Sequence, residues 1–170
     1  IGTHESKGLL TTAQGCVVAS AARPHELSIP ESGRAEHDAD AIWWSELCEI
    51  CRELLERSGV DPGSILALGC STIGPCCLPV DREGTPLRRA ILYGIDTRAT
   101  REIAFLNEEL GERAIFERCG NDLSAQAVGP KILWIRRQEP EVFRKTDKFV
   151  SGTSYLVWKL TGRCVIDHYS

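Results

Sequence analysis

Ile1-Gly2-Thr3-His4-Glu5-Ser6-Lys7, then Gly8-Leu9-Leu10-Thr11-Thr12-Ala13, Gln14-Gly15 and Cys16-Val17-Val18-Ala19-Ser20-Ala21-Ala22: this opening stretch decides the fold. Gly8 to Ala13 and Cys16 to Ala22 are two short apolar runs, and Gln14-Gly15 between them is a turn signal, so the pair reads as a β-hairpin. Ile1-Gly2-Thr3 reads as the end of an earlier strand entering a turn. With that strand the count is three consecutive strands, antiparallel to one another. The chain contains no Met and stops at Asp167-His168-Tyr169-Ser170 with no element to close it. The expectation is a piece of a longer protein.

Moving outward, Arg23 to Asp38 carries Pro24, Pro30 and Gly33 and reads as a surface loop. Asp38 or Asp40 can cap a helix from about Ala39 to Ser58, with Trp43, Leu47, Ile50, Cys51, Leu54 and Leu55 on one stripe and Gly59 and Pro62 ending it. Of Trp43 and Trp44, one is expected inside and one on the surface. Ile65 to Cys70 is a nearly continuous apolar run, as in a strand buried on both faces. Strands are also expected at Cys76–Val80, Ala90–Tyr93, Lys148–Val150 and Cys164–Ile166. Helices are expected near Ala99–Leu110, Glu112–Arg118, Pro130–Gln138 (Pro in the first turn), Glu139–Lys145 and Thr153–Leu160. Hairpin first, then alternating helix and strand, makes an α/β protein: a mixed sheet of three antiparallel strands followed by parallel ones, with helices on both faces.

The 170 residues suit one domain, and 24 acidic against 20 basic residues give a formal net charge of −4. That mildly acidic balance argues against a nucleic-acid partner, which needs a basic face. No apolar run approaches the roughly 20 residues of a membrane span, and no charged region followed by an apolar one opens the chain as a signal peptide would. Eight cysteines include the pair Cys48-x-x-Cys51. It lies in a helical pattern with no second pair and no spaced His, so small buried hydrophobes are a better reading than a zinc site. Reduced thiols imply a cytoplasmic setting.

Several loops could carry chemistry. Gly2-Thr3 allows close approach of an anion, with a hydroxyl donor and Lys7 four residues on; the competing reading is a structural turn. Ser71 to Pro75, including Gly74 and Pro75, follows a buried strand, where ligands sit in open α/β sheets. Asp96-Thr97-Arg98 can bind hydroxyls or pair internally. Lys131 at a helix start needs a partner or lies in solvent. No Walker-type or dinucleotide-binding glycine motif is present, and His4, His25, His37 and His168 lack metal-like spacing.

In order along the chain, these signals resemble the N-terminal domain of the FGGY carbohydrate kinases. Ile1-Gly2-Thr3 with Lys7 resembles D-x-G-T-x-x-x-K begun one residue after its Asp. Gly33-Arg34-Ala35-Glu36-His37-Asp38 with Trp43-Trp44 resembles G-x-x-E-Q-D…W-W. Asp81 to Ile91 matches D-x-x-G-x-P-L-R-x-A-I, and Asp96-Thr97-Arg98 the D-x-R of W-N-D-x-R. Pro130 to Ile135 with Glu139-Pro140 resembles P-K-L-L-W-L…E-P, and Tyr155-Leu156 to Leu160-Thr161-Gly162 resembles Y-L…L-T-G.

The resemblance implies an actin-like, ribonuclease-H-like fold and ATP-dependent, Mg²⁺-assisted phosphorylation of a sugar or polyol hydroxyl. It places Gly2, Thr3 and Lys7 on the phosphate side, and Gly74, Pro75, Asp96, Arg98 and Gln126 near the substrate. It places the catalytic Asp beyond Ser170, so the 170-residue chain is expected to be inactive alone. It also implies a C-terminal domain of the same protein as partner, and leaves a homo-oligomer open. Gly74-Pro75, Gln126 and Tyr93-Gly94-Ile95-Asp96 depart from the xylulose and glycerol kinase patterns, which points to another specificity. A non-catalytic sugar-binding relative and a different actin-like ATPase are the alternatives.

Overall fold

The turn at Gln14-Gly15 closes the expected hairpin. A computed structural model describes residues 1–166, and the reading of Asp167 to Ser170 lies outside them. Strand β1, Glu5–Thr11, pairs antiparallel with β2, Val17–Pro24, from Glu5 opposite Pro24 to Leu10 opposite Ala19; the register then shifts so that Thr11 faces Val17. One face of the hairpin rests on a helix. Asp38 caps that helix by accepting from the Ala41 N–H at 2.9 Å. The chain first makes a π-helical turn, Ala39–Trp44, and continues directly as α1, Ser45–Ser58. The apolar stripe faces inward as its spacing requires: Ile50 and Leu54 are buried with Ala21 of β2. Contact is closest at Gly8, where a Cβ would stand 2.3 Å from Cγ2 of Ile50.

The main core is built on four short strands. β3, Glu36–His37, pairs with β5, Ala90–Ile91, and β4, Leu78–Val80, pairs with β6, Lys148–Val150. Cys77 and Ile91 exchange backbone hydrogen bonds of 2.8 and 3.0 Å, which stitch the two pairs into one patch. Side chains alternate across a pleated strand, and the patch is covered accordingly. Leu78, Val80, Ala90 and Leu92 point to one side, against Trp43, Tyr155 and Leu156. Cys77 and Ile91 point to the other, against Trp134 and Ile135. Tyr155 and Leu156 come from α6, Gly152–Thr161, and Trp134 and Ile135 from α4, Val128–Gln138. The remaining helices, α2 (Thr100–Leu110), α3 (Glu112–Cys119) and α5 (Pro140–Lys145), fall where the sequence places them. Trp43 is fully buried, and Trp44 lies half-buried beneath Lys159.

Three expectations are corrected. Every named ladder among the described residues is antiparallel, so the parallel strands expected in a mixed sheet are not seen among them. Ile65–Cys70 has no ladder; Leu66 is 90% exposed and the run borders an open groove. An apolar run reports only what a strand could bury. Cys164–Ile166 likewise forms no strand, and Val165 and Ile166 are exposed. Conversely, β3 lies within the expected loop, because two residues become a strand only through their distant partners. The eight cysteines are free thiols. Burial raises the pKa values of Cys76 and Cys77 to about 12.

His37 sits in the core with no exposure, accepting from the Trp43 indole N–H at 3.2 Å. Desolvation, with the charge of His25, lowers its pKa from 6.5 to about 4. In the unfolded chain the imidazole takes its proton first, so stability is present above pH 6.5 and drains away as pH falls toward about 4. Urea unfolding should show a loss on the order of 2–3 kcal/mol across that window. His37→Gln should begin less stable and lose most of that dependence. Gly8→Val should destabilise the hairpin by about 1–3 kcal/mol through overpacking against Ile50, readable in the same titration at neutral pH.

Candidate functional site

The Gly2-Thr3 turn is held from beneath by two histidines. His25 bridges the Glu46 carboxylate (Nδ1, 2.9 Å) and the Gly2 carbonyl (Nε2, 3.2 Å). His37 accepts the indole proton at Nδ1, so its Nε2–H is the donor to the Thr3 carbonyl at 3.1 Å. The two rings meet edge to face at 4.9 Å. Both carbonyls are thus pinned inward. Thr3 Oγ1 lies 3.2 Å from the Tyr93 hydroxyl. A Cβ at Gly2 would come 2.9 Å from the Glu5 carbonyl, so only glycine fits this tight approach. Beside the turn opens a pocket of about 310 Å³, with Thr3, His4, Leu27, Arg34, Tyr93 and Ile95 in its wall. It offers hydroxyls and a guanidinium on an otherwise apolar surface, the composition of a small-molecule site.

A buried charge network fixes the pocket's two walls to each other. The Asp96 carboxylate accepts from the Ala35 N–H at 2.7 Å, the Arg98 N–H at 3.1 Å and the Arg98 side chain at 2.7–3.0 Å. The Arg98 side chain, 1% exposed, also reaches Glu36 at 2.8 Å, and Glu36 takes a second guanidinium from Arg88 at 2.6 Å. Burial alone would lower the Arg98 pKa; the hydrogen bonds and charges of Asp96 and Glu36 outweigh it and raise the value. Nη1 of Arg88 and of Arg98 has no hydrogen-bond partner. Instead, both guanidinium groups and that of Arg34 lie 4.9–5.8 Å from the centre of the Trp134 ring, where its π face attracts cations. Gly33 completes the junction. Its φ is +77°, its carbonyl accepts from the Thr97 N–H at 2.8 Å, and a Cβ would stand 2.6 Å from Thr97 Oγ1.

The other residues singled out in the sequence are spread around this centre. Gln126 is exposed and packs on Gly94, close enough that a Cβ there would lie 2.9 Å from Gln126 Cγ. Lys131 is 1% exposed, not in solvent; its Nζ donates to the Ala125 carbonyl at 2.6 Å. Desolvation lowers its pKa, against the charge of Asp96. Gly74 and Pro75 lie on an exposed loop outside the pocket's lining. Lys7 points to a separate groove and pairs with Glu5 at 2.8 Å, so the structure does not bring it to Thr3. His25, His37, Trp43 and Tyr93 build the site without having been singled out for it. His37 and Trp43 lie in the stretch that resembles G-x-x-E-Q-D…W-W, but the role of His37 depends on its partners at Thr3 and Trp43. Among the described residues no group of three or more His, Cys, Asp or Glu is arranged to hold a metal ion.

The comparisons agree with this architecture. The profile of the FGGY family of carbohydrate kinases, N-terminal domain, matches residues 1–170. A glycerol kinase of Thermus brockianus is 34% identical over 167 residues, and a xylulose kinase of Staphylococcus xylosus 28% over 162; each match covers 95% of this chain and 33% of the relative. The crystal structure of xylulose kinase from Rhodospirillum rubrum superposes with a TM-score of 0.87 at 32% identity, over 98% of this chain and 34% of that one. The chain therefore spans about a third of the length of the relatives it matches. It belongs to the FGGY family of carbohydrate kinases, whose N-terminal domain it matches from end to end.

Proposed function

We propose that the protein containing this chain transfers a phosphoryl group from ATP to a hydroxyl of a sugar or polyol. In this reading residues 1–170 form the N-terminal, substrate-side part, and a C-terminal domain of the same protein completes the cleft. The observation that carries it is the pinned Gly2-Thr3 turn at the edge of a small pocket walled by Thr3, Tyr93 and Arg34, in a chain of this family. Phosphoryl transfer needs positioning and donors for phosphate oxygens more than covalent chemistry. Gly2 allows close approach and Thr3 supplies a hydroxyl. Lys7, held by Glu5 on the groove side of β1, would join them only on leaving that pair. The donor set fits a phosphate chain. It does not by itself fit Mg²⁺, so no role for the metal is assigned to residues 1–166.

On the substrate side, Asp96 and Arg98 act through the backbone they hold. Their charged atoms are consumed in the network, and what they fix is the placement of Gly33–Ala35 against Tyr93–Asp96. Gln126 stands over Gly94 on the same rim, and Gly74-Pro75 contributes backbone only. The catalytic base and the adenosine contacts are assigned to the C-terminal portion, so the 170-residue chain alone should be inactive. Free thiols fit a cytoplasmic setting, and no helix among the described residues is long and apolar enough to cross a membrane.

With the full-length protein and labelled ATP, a panel of sugars and polyols should show transfer to a sugar or a longer polyol. Efficient phosphorylation of glycerol with no other acceptor used would overturn the specificity reading, and transfer by the isolated 170-residue chain would overturn the division of labour. Arg98→Met leaves the buried Asp96 carboxylate without its guanidinium, while Glu36 keeps Arg88, and should cost about 3–5 kcal/mol in a denaturant titration. Arg98→Lys should recover only part of that, because an ammonium cannot reproduce the forked contact.

A further inference from the structure

Both ring nitrogens of His25 face oxygen. Nε2 lies 3.2 Å from the Gly2 carbonyl, and Nδ1 lies 2.9 Å from Oε2 of Glu46. A carbonyl only accepts, so Nε2 carries a proton. An ionised carboxylate also only accepts, and a neutral imidazole has a single N–H. The two contacts together therefore hold one proton more than a neutral imidazole and an ionised carboxylate would. That proton lies between Nδ1 and Oε2. The pair is enclosed, with the His25 side chain 5% exposed and that of Glu46 12%. From β3 the His37 ring meets His25 at 4.9 Å, kept neutral by the Trp43 indole N–H at its Nδ1. From the turn, His4 and the Ile1 amino group act on the same cluster through their charges. On α1 the next acids, Glu49 and Glu53, are held by Arg23. A planar trans peptide points its C=O and N–H in opposite directions. Holding the Gly2 carbonyl inward thus turns the Thr3 N–H outward, and His37 does the same for the His4 N–H through the Thr3 carbonyl. Neither N–H has a hydrogen-bond partner among the described residues.

We infer that His25 and Glu46 are positioning residues: the proton they share keeps the Gly2 carbonyl turned in and the Thr3 N–H aimed at a nucleotide's phosphate chain. This rests on the reading that the Gly2-Thr3 turn meets phosphate. When the shared proton leaves, His25 has one N–H for two acceptors. Either Nδ1 or Nε2 then sets a lone pair against an oxygen, and the Gly2-Thr3 peptide is released to turn. Nucleotide affinity therefore falls as pH rises. Glu46→Gln removes that dependence. Its amide N–H donates to Nδ1, which leaves the single imidazole proton on Nε2 for the Gly2 carbonyl.

Two measurements on the full-length protein test this. Proton NMR at neutral pH should show a far-downfield resonance from the shared proton, absent in Glu46→Gln and in His25→Phe. Calorimetry with ADP follows affinity from neutral pH to alkaline pH. Wild type and Glu46→Gln share the nucleotide's own titration, so the ratio of their affinities isolates the pair. That ratio should shift in favour of Glu46→Gln by at least about 10-fold, roughly 1.4 kcal/mol, between neutral pH and about pH 9. In steady-state kinetics at neutral pH, His25→Phe should raise the KM for ATP by at least about 10-fold and not that for the acceptor. His25→Gln, whose amide can still donate to the Gly2 carbonyl, should recover most of that loss. Absence of the downfield resonance would overturn the shared proton, whatever the nucleotide result. A constant affinity ratio across the pH range would overturn its part in aiming the turn. A wild-type protein that shows the resonance but binds no ADP would overturn the phosphate reading on which the proposal rests.

Discussion

The Asp96 carboxylate is the constraint on which the site depends. It is buried, and Arg98 and the Ala35 N–H satisfy its oxygens. Arg98 in turn is shared with Glu36, which also holds Arg88. The cost of desolvating these charges is recovered only by complete pairing, so the network tolerates one arrangement of the two loops it joins. Gly33–Ala35 and Tyr93–Arg98 are far apart in sequence and carry little regular structure. Charge, not ladder length, sets their separation, and with it the width of the pocket beside Thr3.

The same logic of layered support runs under the Gly2-Thr3 turn. The Trp43 indole fixes the His37 tautomer, and His37 fixes the Thr3 carbonyl. Trp43 is in turn packed on Tyr155 and the strands β4 and β5. Packing of the core is thereby transmitted to a surface turn through two hydrogen bonds. The two-sided sheet patch makes this possible. Alternation along Cys77-Leu78-Pro79-Val80 sends one set of side chains to the Trp43 layer and the other to the Trp134 layer, so the Gly2-Thr3 turn and the charge network are anchored on opposite faces of the same strands.

Where the signal is local, the sequence was legible. The Gln14-Gly15 turn between apolar runs, the stripe from Trp43 to Leu55 and the strand Lys148–Val150 each declare themselves within a few residues, and all three form as read. The order of motifs likewise identified the family before any geometry was known. What was not legible depends on partners far along the chain. Glu36–His37 is a strand only because Ala90–Ile91 lies opposite. Lys131 reads as needing a partner or lying in solvent, and only the fold shows that the partner is the Ala125 carbonyl. Asp96 and Arg98 were ambiguous between binding hydroxyls and pairing internally; the structure pairs them.

The network has a consequence for how such a pocket can change. The side chains that contact its interior, among them Leu27, Ile29 and Ile95, are distinct from the charges that hold its walls apart. Substitutions can therefore accumulate on the lining without altering the spacing, and drift in ligand preference is uncoupled from collapse of the scaffold. Arg34 is an exception, since it both lines the pocket and stacks on Trp134. At Arg34, as at Gly33 beside it, a new preference and a weakened frame arrive in the same mutational step.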